Sequence, residues 1–322
     1  MDDRELLLRL GAGGISGDAL ARETGVTRAA VWKRIQALRA AGVEIEAHPG
    51  RGYALVAPAD LLDAQALRAA LPAPVVAGIG VLEVAWSLDS TNSELLRRPA
   101  LTGTAVLLAE RQTAGRGRLG RAWNSPLGAQ VCLSVRRGFE GGLARLGGLS
   151  LVAGVAVAEA LRALGFDAVG LKWPNDLVAG DRKLAGLLVE GGGEHAGPVH
   201  AVIGIGINVR LPEAAAGAID QPWTDLARLG GGTTPSRNAI AAEVLGALLP
   251  ALDAFDREGL APFLPRYAAL DVLAGRPVRV LAGNAAVAGH AVGLAADGGL
   301  RVRTDAGDER TFHAGEVSVR AQ

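Results

Sequence analysis

Between Leu6 and Val56 the spacing of apolar positions changes from helical to strand-like. Leu6, Leu7 and Leu10 predict a short helix that Gly11 to Gly14 end. Asp18 to Thr24 predicts a second helix and Gly25-Val26 a turn. Thr27 caps a third helix through about Ala40, with Val31, Ile35 and Leu38 on its inward stripe. After Gly42 the pattern predicts two strands, Glu44 to Ala47 and Tyr53 to Val56, joined by the tip His48-Pro49-Gly50-Arg51-Gly52. Helix, turn, helix and β-wing predict a winged helix-turn-helix over residues 1–58.

Residues 59–77 form a Pro/Ala-rich linker around one predicted helix, Asp60 to Leu71. Over 78–268 strand-like and helical runs alternate. The strands are Gly78 to Ser87, Thr104 to Glu110, Gln130 to Arg136, Gly170 to Trp173, Leu184 to Glu190 and Val199 to Val209. The helices are Ser90 to Arg98, Leu143 to Leu164 and Arg237 to Glu258. That pattern predicts an α/β domain, a mixed sheet covered on one face by helices. Residues 269–322 change to short alternating runs (278–281, 286–294, 300–303, 317–320) between Gly/Asn/Asp turns, predicting a small β-barrel. The fold class is therefore α+β multidomain.

Composition narrows the class. With 322 residues, 49% hydrophobic and 20% charged, the chain has room for two or three ordinary globular domains. No apolar run reads as long enough to cross a bilayer and the start, Met1-Asp2-Asp3-Arg4-Glu5, is unlike a secretory signal. A cytoplasmic protein without membrane contact is expected. Cys132 is the single cysteine, so disulfide frameworks and cysteine-rich zinc sites are excluded; inside V-C-L-S-V it reads as a core strand residue, with a nucleophile as the other reading.

Formal charge is zero, so a nucleic-acid footprint must be local. Arg22, Arg28, Lys33, Arg34 and Arg39 face one acid, Glu23, between Arg22 and Arg39. As a recognition helix, the third helix offers Thr27, Arg28, Trp32 and Lys33 to DNA, with Arg22 and the wing's Arg51 for phosphates. Trp32, bulky and with one donor, is an awkward base reader. A small interaction domain with a solvated basic face is the competing reading.

Chemistry concentrates in the middle domain. Gln112 to Trp123, Q-T-A-G-R-G-R-L-G-R-A-W, packs three glycines and three arginines into Gly115 to Arg121. Glycines let backbone N–H groups converge on an anion and arginines add permanently charged forks, so the segment suits a lid over negative charge; a solvated linker shares the composition. Ser90-Thr91-Asn92 opens a helix: one caps it, and the others can meet a polar ligand. In Lys172-Trp173-Pro174-Asn175-Asp176 a proline stops a strand that carries lysine, amide and carboxylate, although N-D after proline is also an ordinary turn. The chain holds only three lysines, Lys33, Lys172 and Lys183, against thirty arginines, so each retained lysine marks a place for a compact ammonium. Gly204 and Gly206, in a buried strand, allow close approach of a ligand. The third glycine and following helix of a dinucleotide fingerprint are missing there, and no P-loop occurs anywhere.

These motifs, in this order, resemble the signature series of biotin–protein ligases: Ser90-Thr91-Asn92, Gln112 with the glycine-arginine loop and Trp123, Lys172 to Asp176, Lys183-Leu184-Ala185-Gly186 and Gly204 to Asn208. With the winged helix, the resemblance from about Leu6 to Arg320 is to the two-function type that is also the biotin operon repressor. It implies activation of biotin by ATP as biotinyl-5′-adenylate, then transfer to a lysine of the biotin carboxyl carrier protein, with Mg2+ beside ATP. It implies that Ser90, Thr91, Asn92, Gln112, Arg116 and Gly117 hold biotin, and that Arg118 and Lys183 are catalytic and also touch it. Gly115, Arg121, Trp123, Lys172, Asn175, Asp176, Asn208 and Trp223 would serve adenylate and phosphate, and Asp176 with Asn208 the metal. Leu119 departs from the basic residue expected there. Operator DNA and a ligand-linked homodimer complete the implied partners. A lipoate or octanoate ligase of related fold, or a biotin sensor without catalysis, are the alternatives.

Overall fold

The computed structural model describes residues 2–99, 103–140, 142–193, 199–217, 219–282, 285–314 and 317–321. Three helices come first, α1 (Asp3–Gly11), α2 (Gly17–Thr24) and α3 (Arg28–Ala40). A wing follows, β1 (Ile45–His48) and β2 (Gly52–Leu55). Asp2, Ser16 and Thr27 each accept the backbone hydrogen bond that starts a helix, and Asp2 exchanges its bond with Glu5. The wing is one residue tighter on each strand than its pattern predicts. Ile15 pairs with Tyr53, and Gly52, at φ 84°, runs so close that a Cβ there would lie 2.1 Å from the Ile15 carbonyl oxygen.

The linker holds two helices rather than one, α4 (Ala64–Ala70) and α5 (Ala73–Ala77), because Pro72 forces Leu71 into an extended conformation. Next come β3 (Ile79–Ala85), α6 (Thr91–Arg97), β4 (Thr104–Ala109), the two-residue strands β5 (Gly115–Arg116) and β6 (Ala122–Trp123), and β7 (Gln130–Phe139). Then follow α7 (Leu149–Ala163), β8 (Val169–Lys172), β9 (Asp176–Ala179), β10 (Arg182–Gly193) and β11 (Val199–Asn208). The predicted helix 143–164 is broken: a 3₁₀ turn ends at Leu146, and Gly148, at φ 82°, precedes α7. Asn175 does lie in a turn, Trp173 to Asn175, which joins β8 to β9, and Asp176 opens β9 opposite Lys172.

The seven-stranded sheet has the order β3-β4-β7-β11-β10-β9-β8, with β3 and β4 parallel and every other pair antiparallel. After α8 (Glu213–Ala216) and α9 (Leu226–Leu229), the long α10 (Arg237–Glu258) joins α7 on one face of the sheet over Val131, Leu133, Val135, Ile203, Ile205 and Ile207. The prediction of helices on one face alone is corrected by α6. Its Leu95 packs on the other face against Ala105, Leu107 and Val202.

Two helical segments, Leu143–Ala163 and Arg237–Glu258, are long and apolar enough to cross a bilayer, against the sequence reading. Both pack against the sheet, where a core helix needs that apolarity. Past α11 (Leu264–Ala268) lies a five-stranded antiparallel sheet: β12 (Pro277–Ala282), β13 (Ala285–Leu294), β14 (Leu300–Thr304), β15 (Glu309–Phe312) and β16 (Val317–Ala321), in the order β15-β14-β13-β12-β16. The polar β15, Glu-Arg-Thr-Phe, carries no apolar alternation and was not predicted. Val278, Val280, Leu300 and Val302 of this sheet join the core of the central domain, whereas the N-terminal helices pack in a separate cluster that Leu127 and Trp86 of the central domain join.

Candidate active site

A cavity of about 940 Å³ opens on the sheet face that carries α6. Its floor is glycine. A Cβ at Gly204 would lie 2.3 Å from Asn92 Oδ1, and one at Gly206 would lie 2.6 Å from the Trp123 indole. Side chains from other elements therefore lie directly on the strand backbone.

One end is hydroxyl and amide. Ser90 Oγ caps α6. Gln112 Oε1 accepts from Thr91 N at 2.8 Å and from Thr91 Oγ1 at 3.1 Å. Ser134 Oγ lies 2.7 Å from Thr91 Oγ1 and 2.6 Å from Asn92 Oδ1. Asn92 Nδ2 donates to Glu190 Oε2 at 2.8 Å and to the Leu188 carbonyl at 3.1 Å. Thr91, Asn92 and Ser134 are buried, so this end is a fixed pattern of donors and acceptors.

The other end is cationic. Arg118, Arg121, Lys172, Lys183 and, from the C-terminal sheet domain, Arg276 line it, against the acids Asp176, Asp181 and Asp220. Lys183 Nζ lies 2.7 Å from Asp176 Oδ1 and 5.8 Å from the centre of the Trp123 ring. A bulge in β10 beside Lys183 frees its backbone to pair with the 222–224 segment: Lys183 N donates to the Pro222 carbonyl and Thr224 N to the Lys183 carbonyl, both at 2.9 Å. Arg118 Nη1 donates to Asn175 Oδ1 at 3.3 Å and Nη2 to the Ala314 carbonyl. Burial pushes the Arg118 guanidinium below its ordinary pKa, Asp176 opposes that, and Arg121 adds to it. The loop apex is strained: Leu119, at φ 56°, is 58% exposed.

Most residues expected from the sequence meet on this wall; Gly115, Asn208 and Trp223 do not. Gly115 pairs with Trp123 in the loop hairpin, where a Cβ would lie 2.6 Å from the Trp123 carbonyl oxygen. Asn208 is buried, with Oδ1 accepting from Gln130 at 2.8 Å and Nδ2 donating to the Thr224 carbonyl at 3.1 Å. Asp176 faces a lysine, and no group of three or more acidic, His or Cys side chains forms a metal cluster among the described residues. Asp176 lines the cavity while Asn208 stands outside it with its amide spent on Gln130 and Thr224, so the two do not form one ligand pair. The Trp223 ring stacks under Arg228 at 4.0 Å, while its neighbours Asp220, Gln221 and Pro222 line the cavity. Cys132 lies under Ser125, fully buried, and burial pushes its thiol up, which argues against a nucleophile.

In the N-terminal unit, Arg22, Arg28, Lys33, Trp32 and Arg51 are exposed. Thr27 Oγ1 is used on the α3 cap, and Arg39 donates to the Ile45 carbonyl, tying α3 to the wing rather than offering its charge outward.

The chain matches the Biotin/lipoate A/B protein ligase family over residues 84–208, an HTH domain over 4–54 and the Biotin protein ligase C terminal domain over 274–320. It is 42% identical over 307 residues to the bifunctional ligase/repressor BirA of Salmonella typhimurium, covering 95% of this chain and 93% of the relative. To BirA of Escherichia coli K12 it is 41% identical with the same coverage. The chain belongs to the bifunctional biotin ligase/repressor family. Among solved structures, the biotin protein ligase from Aquifex aeolicus in complex with biotin and ATP superposes with a TM-score of 0.65 at 29% identity, covering 76% of this chain and all of that one.

Within this biotin ligase/repressor, sequence reasoning missed Ser134, Glu190 and Ser93, which hold the polar end from behind, and Arg276, which reaches the cavity from another domain. The alternation of β7 and β10 placed Ser134 and Glu190 on the face of the floor glycines. That was the available signal, and only strand pairing says which face is the site.

Proposed function

We propose that this chain is an ATP-dependent biotin–protein ligase that forms biotinyl-5′-adenylate, passes biotin to a lysine of the biotin carboxyl carrier protein, and represses biotin-synthesis genes. The supporting observation is one cavity whose amide and hydroxyl end is separated by a glycine floor from a cationic end. Biotin has matching polarity, with a ureido ring at one end, an apolar body and a carboxylate at the other.

In this reading Ser90, Thr91, Asn92 and Gln112 hold the ureido ring, and Arg116 and Gly117 the wall beside it. A biotin carboxylate oxygen attacks the α-phosphorus of ATP; a new O–P bond forms as the bond to pyrophosphate breaks. Lys183, aimed by Asp176, and Arg118 meet the carboxylate and α-phosphate as charge develops. Arg121, Lys172 and Asn175 face the leaving pyrophosphate or the adenylate. Trp123 covers the adenylate; Gly115 and Asn208 shape the wall from behind, and Trp223 stands beside it. In the second step the neutral amine of the carrier lysine attacks the acyl carbon, the N–C bond forms as the acyl C–O bond to phosphate breaks, AMP leaves and the amine gives up one proton to solvent. Magnesium enters as part of the MgATP substrate, and Asp176 is the carboxylate on the cationic wall that would face it. The lid keeps water from the mixed anhydride.

Arg22, Arg28, Trp32, Lys33 and Arg51 face operator DNA, with Thr27 fixing the start of the recognition helix. Ligand-linked homodimerisation would set two such helices on a two-fold operator in the cytoplasm. Transfer of biotin to carrier protein in the presence of MgATP tests the ligase: absence of labelling, or labelling suppressed equally by lipoate, overturns it. Sedimentation with and without biotin plus MgATP tests the dimer, and an unchanged association state overturns that coupling.

A further inference from the structure

We propose that Glu190 is a positioning residue that fixes the lid and the ureido-binding amide to each other. The inference rests on the biotin-ligase reading. Along β10 the cavity face carries Gly186, Leu188 and Glu190 in alternation. Glu190 does not line the cavity; it stands behind two residues that do. Its Oε2 accepts from Asn92 Nδ2 at 2.8 Å, and its carboxylate accepts from Arg116 Nη2 at 3.0 and 3.1 Å. One carboxylate thus joins the sheet, the first turn of α6 and the first strand of the lid.

Both partners have functions that depend on orientation. Asn92 presents a carbonyl oxygen one way and an NH2 the other, and a urea can be read only if that amide is held from flipping. Glu190 and the Leu188 carbonyl take its two donors, while Ser134 Oγ lies 2.6 Å from its oxygen. Arg116 anchors the lid, and its second contact is Ser93 Oγ at 3.0 Å. The pair Glu190–Arg116 is partly exposed, so its effect is geometric rather than a large share of stability.

The test uses the full-length protein and measures biotin KM, ATP KM, transfer to carrier protein and release of AMP without carrier. Glu190→Ala is expected to raise biotin KM about tenfold and carrier-free AMP release several-fold at unchanged ATP KM. Glu190→Gln still accepts from Asn92 and is expected to restore biotin KM but not the tight lid. Ser93→Ala, which removes only the other Arg116 contact, is expected to raise AMP release alone. Wild-type biotin KM and AMP release in Glu190→Ala overturn the proposal. So does a loss of transfer that follows thermal unfolding with biotin KM unmoved. Failure of the wild-type protein to label carrier would overturn the parent reading instead.

Discussion

Lys183 shows how a single residue is prepared for the role proposed for it. It is one of three lysines, its backbone is pinned by the 222–224 segment, and its ammonium sits between Asp176 and the Trp123 ring. Lys183→Ala is expected to slow adenylation about 10²–10³-fold, read as single-turnover pyrophosphate release. Lys183→Arg is expected to recover little of this, because a planar fork cannot replace a point charge in that space. The glycine floor makes a second residue-scale prediction. Gly206→Ala forces the Trp123 indole from its place and is expected to cost about 1–3 kcal/mol while weakening biotin binding. Tryptophan fluorescence and a biotin titration would show it. The sequence displayed the glycines and lysines; that Asn92 and Trp123 lie on Gly204 and Gly206 required strand pairing.

The elements that matter at the next scale are α6 and the lid. Asp89 accepts from Ser90 N at 2.8 Å and from Arg97 through both oxygens, fixing the start of α6, and Arg97 holds its pKa at about 2, below the ordinary 3.8. A depressed carboxylate pKa gives stability that is present above the unfolded value and lost as pH falls toward the folded one. Biotin affinity and α6 order are therefore expected to decline between about pH 4 and 2, and Asp89→Asn should flatten that part of the profile. In the lid, Arg118 ties the loop to Asn175 and to the Ala314 carbonyl of the C-terminal domain. Arg118→Gly is expected to release activated biotin onto nonspecific lysines at least several-fold faster, measured by labelling of a bystander protein; unchanged labelling removes that role from the side chain. The lid was legible as a Gly/Arg segment. Its inner hairpin, β5 with β6, was not, because two-residue strands have no period to read.

For the whole molecule, a buried charge pair of the central domain lies where the linker meets it. Arg237 Nη2 meets Glu110 Oε2 at 2.5 Å with both side chains at or below 1% exposure. Glu110 Oε1 also accepts from Leu62 N, Arg4 of α1 approaches it at 3.9 Å, and Arg237 donates to the carbonyls of Asp60 and Gln130. Gln130 in turn accepts from Trp123, so linker, helical domain and cavity floor share one polar cluster. Arg237→Ala strands a buried carboxylate and is expected to cost about 3–5 kcal/mol, seen as a lower unfolding midpoint. Arg237→Met together with Glu110→Leu should recover much of it. Neither residue was singled out from sequence, since nothing local separates a buried Arg/Glu pair from a solvated one.

What the sequence determined by itself is everything carried by local period and local chemistry: the Thr27 cap, the winged segment, the apolar strands and the glycine-arginine loop. The tertiary structure decided what depends on which residues become neighbours. It took Asn208 out of the cavity and into a buried hydrogen-bond pair, brought Arg276 in from the C-terminal sheet, set α6 on the cavity face, and placed Ser134 and Glu190 against Thr91 and Asn92 of the cavity wall. The physical reason is that a strand's period tells which residues share a face, while burial and pairing tell what that face looks upon.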